Sequence, residues 1–328
     1  MLLVCYGTRP EYLKVQPLIE KMRGVIPFKT LFTGQHEDMV YSNPDYSIVI
    51  ENKNNRLDSV IASIMNSVDF HKESITHVLV QGDTATAYAT ALSAFNHKIP
   101  VIHLEAGMRT YDKNNPWPEE VYRQCISKMA SYHLTPTGYE WNFLVSENCK
   151  DKLYIVGNTV LDNLVDISPI DTPTVLITMH RRENHSLMEE YFKAIEELAI
   201  ENRDLDFIFP MHPSPDVQKH RNIFKNVTIK KPLLYDDMIG FISSARIIIT
   251  DSGGIQEEAS FFKKKTIVCR KVTERFASIG KSSVLCKEPN ELKSVFNEAK
   301  ENYIVEDECP FGDGHSSEKI VEILKCII

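Results

Sequence analysis

Short apolar runs alternate with amphipathic stretches, and that alternation constrains this chain more than any other feature. In the first half, residues 2–6, 77–80, 100–104 and 132–135 read as buried strands. Residues 10–22, 57–68, 84–95 and 119–129 between them read as helices. Strand–helix–strand succession implies parallel sheets covered by helices. The pattern stops at Ile167-Ser168-Pro169-Ile170-Asp171-Thr172-Pro173, whose two prolines mark a linker. It then restarts, with strands at 174–178, 206–210, 227–229, 247–250 and 266–268 and helices at 187–201, 235–244 and 256–262. A chain of 328 residues accommodates two such domains, each with its own core. The expected fold class is α/β: two Rossmann-like domains whose parallel sheets face a central cleft, with a site at the carboxyl ends of the strands.

Charge and cysteine usage narrow the function classes. A net charge of −8 argues against broad binding to nucleic acid or anionic membranes. No apolar run approaches the ~18–20 residues that span a membrane. The apolar start ends at Tyr6, before Arg9 and Glu11, so no signal peptide is read there. The seven cysteines are scattered without CxxC spacing, so they read as thiols of a reducing cytoplasm.

The chemistry-bearing residues lie just after predicted strands. Thr250-Asp251-Ser252-Gly253-Gly254-Ile255-Gln256-Glu257-Glu258 follows an isoleucine run and opens a helix. A helix N-terminus favours anions, and glycines let the backbone come close to one. Glu258, a turn into the helix, is placed to accept ribose hydroxyls. Gly7-Thr8-Arg9-Pro10-Glu11 is a similar turn, with Arg9 and Lys14 placed to meet a diphosphate. Asp83, Glu105 and Glu119 map to loops at one sheet edge. Asp83 equally suits a helix N-cap and Glu119 a helix dipole. Three carboxylates together imply acid–base work or a cation such as Mg²⁺. His180, beside Arg181 and Arg182, and His212 each follow a strand of the second half; no short ligand spacing marks them as a metal pair.

Taken in order, these segments resemble the non-hydrolysing UDP-N-acetylglucosamine 2-epimerase family. The resemblance runs through GTRPE at 7–11, TGQH at 33–36, QGDT at 81–84, HLEAGMRT at 103–110 and PWPEE at 116–120 with Arg123. It continues through GNTVLDN at 157–163, HRREN at 180–184, HP at 212–213, TDSGGIQEEA at 250–259, TER at 273–275 and FGDGHSSEKIVEIL at 311–324. It implies a GT-B-like fold with an N-terminal domain at 1–166, a UDP-binding domain at 167–310 and a C-terminal helix within 311–328 that packs back on the first domain.

The implied activity interconverts UDP-GlcNAc and UDP-ManNAc by loss and re-addition of UDP through a 2-acetamidoglucal, supplying ManNAc for surface polysaccharide. Asp83, Glu105, Glu119 and His180 are the implied acid–base groups. Arg9, Lys14, Arg123, His212, Ser252, Gly253, Gly254 and Glu258 are the implied substrate contacts. No metal and no cofactor are implied; a cytoplasmic homodimer is. Two departures stand out: Phe276-Ala277 replaces the usual Pro-Glu after TER, and Glu37 replaces a basic residue after TGQH. The Asn-rich stretch 41–56 lacks the glutamine-bearing segment of an activating second substrate site, so the resemblance does not carry that activation over. A hydrolysing relative, a glycosyltransferase of the same architecture and a non-catalytic sugar-nucleotide binder are the alternatives.

Overall fold

The computed structural model describes residues 1–36, 43–51, 55–70, 74–149 and 152–328. Glu37 and parts of the 41–56 stretch, on which two of the expectations above fall, lie outside the described residues. The described chain forms two compact units, Met1–Asn163 with Gly312–Ile328, and Leu164–Phe311.

Unit 1 contains β1 (Leu2–Tyr6), α1 (Arg9–Met22), β2 (Phe28–Phe32), β3 (Tyr46–Ser47), α2 (Arg56–Ser67), β4 (His77–Gln81) and α3 (Ala85–Asn96). It continues with β5 (Val101–Leu104), α4 (Glu119–Met129), β6 (Tyr132–Thr135), α5 (Gly138–Ser146) and β7 (Leu153–Ile155). Its sheet has the order β3-β2-β1-β4-β5-β6-β7 and every ladder is parallel. All five residues of β1 are buried, as a strand covered on both faces requires. One face packs Leu2, Val4 and Tyr6 on Val15, Leu18 and Met22 of α1. The other packs Leu3 and Cys5 with Val60 and Ile64 of α2 and the alanines of α3.

Unit 2 contains β8 (Thr174–Thr178), α6 (Met188–Glu201), β9 (Asp206–Pro210), α7 (Pro215–Gln218), β10 (Thr228–Lys230) and α8 (Tyr235–Ser244). It continues with β11 (Ile247–Thr250), α9 (Gly253–Phe261), β12 (Lys265–Cys269), β13 (Ser283–Cys286) and α10 (Leu292–Glu301). Its order, β10-β9-β8-β11-β12-β13, repeats that of unit 1 without the seventh strand, again parallel. The remaining helix, α11 (Ser316–Ile327), returns to unit 1, where Ile320, Val321 and Leu324 join the α1 side of the core.

The strand order reverses between β1 and β4 in unit 1, and between β8 and β11 in unit 2. In doubly wound sheets ligands bind beyond the strand ends at such reversals. Gly7–Arg9 and Gly82–Thr84 flank the first reversal; Met179–Arg181 and Asp251–Gly254 flank the second.

Among the described residues, β2, β3, β7, β13, α5, α7 and α10 go beyond the sequence reading. Lys29 and Thr30 interrupt the apolar run of β2, and β3 has only two residues. Helix α9 starts at Gly253, not at Gln256, so both glycines lie in its first turn.

Candidate active site

In unit 1 the turn after β1 is closed on itself. Thr8 is the N-cap of α1, and Glu11 completes a capping box. Glu11 Oε2 accepts from the amides of Gly7 at 3.0 Å and Thr8 at 2.7 Å, and Oε1 accepts from the Thr84 hydroxyl at 2.6 Å. These bonds favour the carboxylate, but complete burial outweighs them and pushes its pKa up to about 7. Gly7 is equally enclosed, since a Cβ there would lie 2.2 Å from the hydroxyls of Thr33 and Thr86.

The turn after β4 carries Asp83. The cap of α3 is Thr84, whose hydroxyl accepts from the Ala87 amide at 3.0 Å, so Asp83 is not the N-cap. It pairs instead with Arg123 of α4 at 2.5 Å. Arg123 is buried and also lies 3.5 Å from Glu120. Glu120 in turn accepts from the amides of Thr110 and Tyr111, which fixes the loop leading to α4. Glu119 is the first residue of α4. His103 on β5 hydrogen-bonds the Gly82 carbonyl through Nε2 at 2.8 Å. Burial drives the His103 pKa down to about 3, so the ring is neutral and Nε2 donates.

Glu105 stands directly after β5. It is 9% exposed and its φ of 63° lies in the left-handed region, which a residue with a Cβ rarely occupies. Lys14 reaches both of its oxygens at 2.6 Å, Gln81 donates to Oε2, and Asn158 donates to Oε1 at 3.4 Å. Lys14, expected to meet a diphosphate, places its ammonium on the Glu105 carboxylate here. Arg9 opens α1, half-buried. Asp83 and Glu105 thus sit in separate ion pairs. Among the described residues, no three His, Cys, Asp or Glu side chains are grouped as a metal site.

In unit 2 the reversal is bridged by Asp251, which is fully buried. Its carboxylate accepts from the amides of His180, at 3.0 and 3.1 Å, and Arg181, at 2.8 Å, and from Asn184 Nδ2 at 3.1 Å. The His180 ring stacks on that of His212, with centroids 5.0 Å apart. Burial holds the His180 pKa below its ordinary value; Asp251 opposes this, and His212, Arg181 and His185 add to it. His180 is therefore neutral at pH 7.

Helix α9 has no side-chain cap and no acidic residue in its first turn. Ser252 precedes it. A Cβ on Gly254 would meet nothing within 4 Å, whereas one on Gly253 would lie 2.6 Å from Arg275 Nη1. Only Gly254 therefore offers open backbone; the space at Gly253 is filled by a side chain. Glu258 is buried near the Tyr235 phenol; burial first, and then the Glu258 carboxylate, raise the phenol pKa.

The sequence reading nominated Asp83, Glu105, Glu119 and His180 from their positions but missed what holds them. Glu11, Gln81, Asn158, Asp251 and Arg275 are the missed residues. Each lies in a quoted motif, so the signal was present as membership rather than as an assigned role.

A family model described as UDP-N-acetylglucosamine 2-epimerase matches residues 21–325. The UDP-N-acetylglucosamine 2-epimerase of Campylobacter jejuni is 36% identical over 377 aligned positions, covering 98% of this chain and 97% of its own. The crystal structure of UDP-GlcNAc 2-epimerase from Neisseria meningitidis bound to UDP-GlcNAc superposes with a TM-score of 0.90, at 33% identity and 99% coverage of both chains. Acinetobacter baumannii MurG, at 12% identity and a TM-score of 0.62, shares the fold alone. With a family model spanning most of its length and relatives above 30% identity end to end, this chain belongs to the UDP-N-acetylglucosamine 2-epimerase family.

Proposed function

We propose that this chain inverts C2 of UDP-GlcNAc reversibly to UDP-ManNAc without net hydrolysis. The observation that carries the proposal is Glu105: a buried carboxylate at a strand end, on a left-handed backbone, fixed by Lys14, Gln81 and Asn158. That arrangement suits a group that moves a proton at one defined atom.

The C2 proton is not acidic in the intact sugar, because no carbonyl adjoins it. Cleavage of the C1–O bond, with the electron pair leaving on UDP, builds positive charge at C1 and makes the C2 proton removable. A base takes that proton and C1=C2 forms, giving a 2-acetamidoglucal. Return of a proton to the opposite face of C2 and of UDP oxygen to C1 completes inversion. Two faces require two proton-handling groups, drawn from Asp83, Glu105, Glu119 and His180. The neutral state of His180 at pH 7 suits it to accept a proton.

UDP is assigned to unit 2. The uncapped start of α9 supplies amides, with Ser252 and Gly254 nearest the diphosphate, and Glu258 takes the ribose diol. His212 and Arg9 are the assigned cationic or hydrogen-bonding partners of the phosphates. UDP-GlcNAc bound to the Neisseria relative supports the choice of substrate. The free thiols fit a cytoplasmic enzyme, and the proposal extends to a homodimer that supplies ManNAc units for surface polysaccharide.

Proton NMR with UDP-GlcNAc in D₂O tests the reading. UDP-ManNAc carrying deuterium at C2 is the expected product. Free ManNAc with UDP would move the chain to the hydrolysing branch, which Phe276-Ala277 after TER keeps in view. UDP-GlcNAc recovered without deuterium would overturn the epimerase mechanism.

A further inference from the structure

We propose that Arg275 is the positioning residue of the nucleotide-binding turn in unit 2, and that Gly253 is a glycine in order to admit it. The proposal rests on the assignment of UDP to the start of α9.

Gly253 does not lie in the left-handed region, so conformational freedom does not explain it. Space does. A Cβ there would stand 2.6 Å from Arg275 Nη1, 2.8 Å from Cζ and 3.1 Å from Nε, so the guanidinium lies against the bare backbone of the first helical turn. It is not a flexible tip that can move aside. Arg275 Nε donates to Glu257 Oε1 at 3.0 Å, and Nη1 donates to Glu274. Its own amide donates to Thr273 Oγ1 at 3.2 Å, and that hydroxyl donates to Gln256 Oε1 at 3.0 Å. Gln256 Nε2 reaches back to the Ser252 carbonyl at 3.2 Å.

These bonds close a loop from Ser252 through Gln256, Thr273 and Arg275 to Glu257, with the first turn of α9 held in it. Glu257 is fully buried, Glu274 is 2% exposed and Arg275 is 8% exposed. On the far side Glu274 also takes Arg270 Nη1 at 2.8 Å, and Arg270 Nε pairs with Glu183 at 2.6 Å. Glu183, half-buried, belongs to the turn that follows His180, so both flanks of the strand-order reversal are tied to one chain of charges. Successive helical residues point about 100° apart. Pinning Glu257 inward on Arg275 therefore also fixes the direction of Glu258, the assigned ribose ligand. SGG and TER then act as one device: the guanidinium sets the turn, and the glycine leaves room for it.

The test compares the wild-type chain with Gly253→Ala, Arg275→Lys and the double variant. UDP affinity is read by calorimetry and folding by thermal unfolding. Lysine keeps the charge but not the planar fork. Each single change is expected to weaken UDP binding at least tenfold. The double variant is expected to be no worse than the weaker single, because both changes displace the same group. Losses that multiply in the double variant would overturn the proposal, as would an Arg275→Lys chain that melts earlier yet binds UDP within twofold of wild type. Should Arg275→Lys fail to fold, Glu257→Gln removes one anchor at constant shape; several-fold weaker UDP binding supports the proposal, and wild-type affinity overturns it. Gly254→Asp separates this proposal from the one beneath it, since its Cβ meets nothing. Normal UDP binding there overturns the nucleotide assignment itself. Lost binding there, with wild-type affinity in Gly253→Ala or Arg275→Lys, overturns the role of Arg275 alone.

Discussion

The turn from β1 into α1 and the turn from β11 into α9 both lie at the strand-order reversal of their sheet, and both contain glycine. In unit 1 the helix supplies its own acceptor: Glu11 occupies the Gly7 and Thr8 amides, and two threonine hydroxyls cover Gly7. In unit 2 no side chain caps α9, Gly254 is open, and the buried carboxylate of the reversal, Asp251, faces the other way, onto the His180 turn. A glycine turn at a helix start is therefore not by itself a phosphate site. What decides is whether the fold has already satisfied the amides.

Four measurements bear on this contrast. The largest concerns the chemistry assigned to unit 1. Glu105→Gln should lower turnover by roughly 10²–10⁴-fold while UDP affinity stays within about twofold. Turnover near wild type would remove Glu105 from the reaction.

The second concerns Glu11. Its folded pKa of about 7 lies above the ordinary 4.5. The folded state therefore holds the extra proton, and the associated stability is fully present below pH 4.5 and lost as pH rises through 7. The span amounts to about 3 kcal/mol. Urea unfolding between pH 4.5 and 8 should show this decline, and Glu11→Gln should flatten it; an equal slope in both chains would contradict the assignment.

Third, Glu258→Ala should weaken UDP binding by about 1–3 kcal/mol through loss of buried hydrogen bonds. Titration calorimetry measures this directly, and unaltered affinity would leave Glu258 an ordinary helix residue.

The smallest effects test the contrast most directly, because one substitution is made in both turns. Gly7→Ala forces a Cβ against Thr33 and Thr86 and should cost about 1–3 kcal/mol. Gly254→Ala meets open space and should be neutral or gain up to about 1 kcal/mol in the unliganded chain. Equal melting shifts for the two variants would erase the distinction drawn between the turns.

Much of the fold was legible because buried parallel strands are continuous apolar runs, as in Ile247-Ile248-Ile249. Where a strand is short or half-exposed, as in β2 and β3, polar residues interrupt the run and the signal fails. Helix α5 was missed because it shows no clear polar face. At the site, residues after strand ends could be nominated singly. Their partners could not, because the contacts are long-range: Lys14 meets Glu105 across 91 positions and Asn158 across 53. Gly253 is the clearest case. The sequence offers two adjacent glycines and one reason for both, whereas packing gives each a different one.

Helix α11 sets an order of assembly. Ile320, Val321 and Leu324 complete the core around Leu18 and Met22, and Lys21 meets Glu318 across 297 positions. Unit 2 is one unbroken stretch, Leu164–Phe311, made before α11. On the ribosome, then, the first unit to be synthesised is the last to be sealed. Its α1 face stays exposed for the whole time that unit 2 takes to emerge, an interval of roughly 10–30 s at typical elongation rates. The apolar face of α1 is thus made early and covered late.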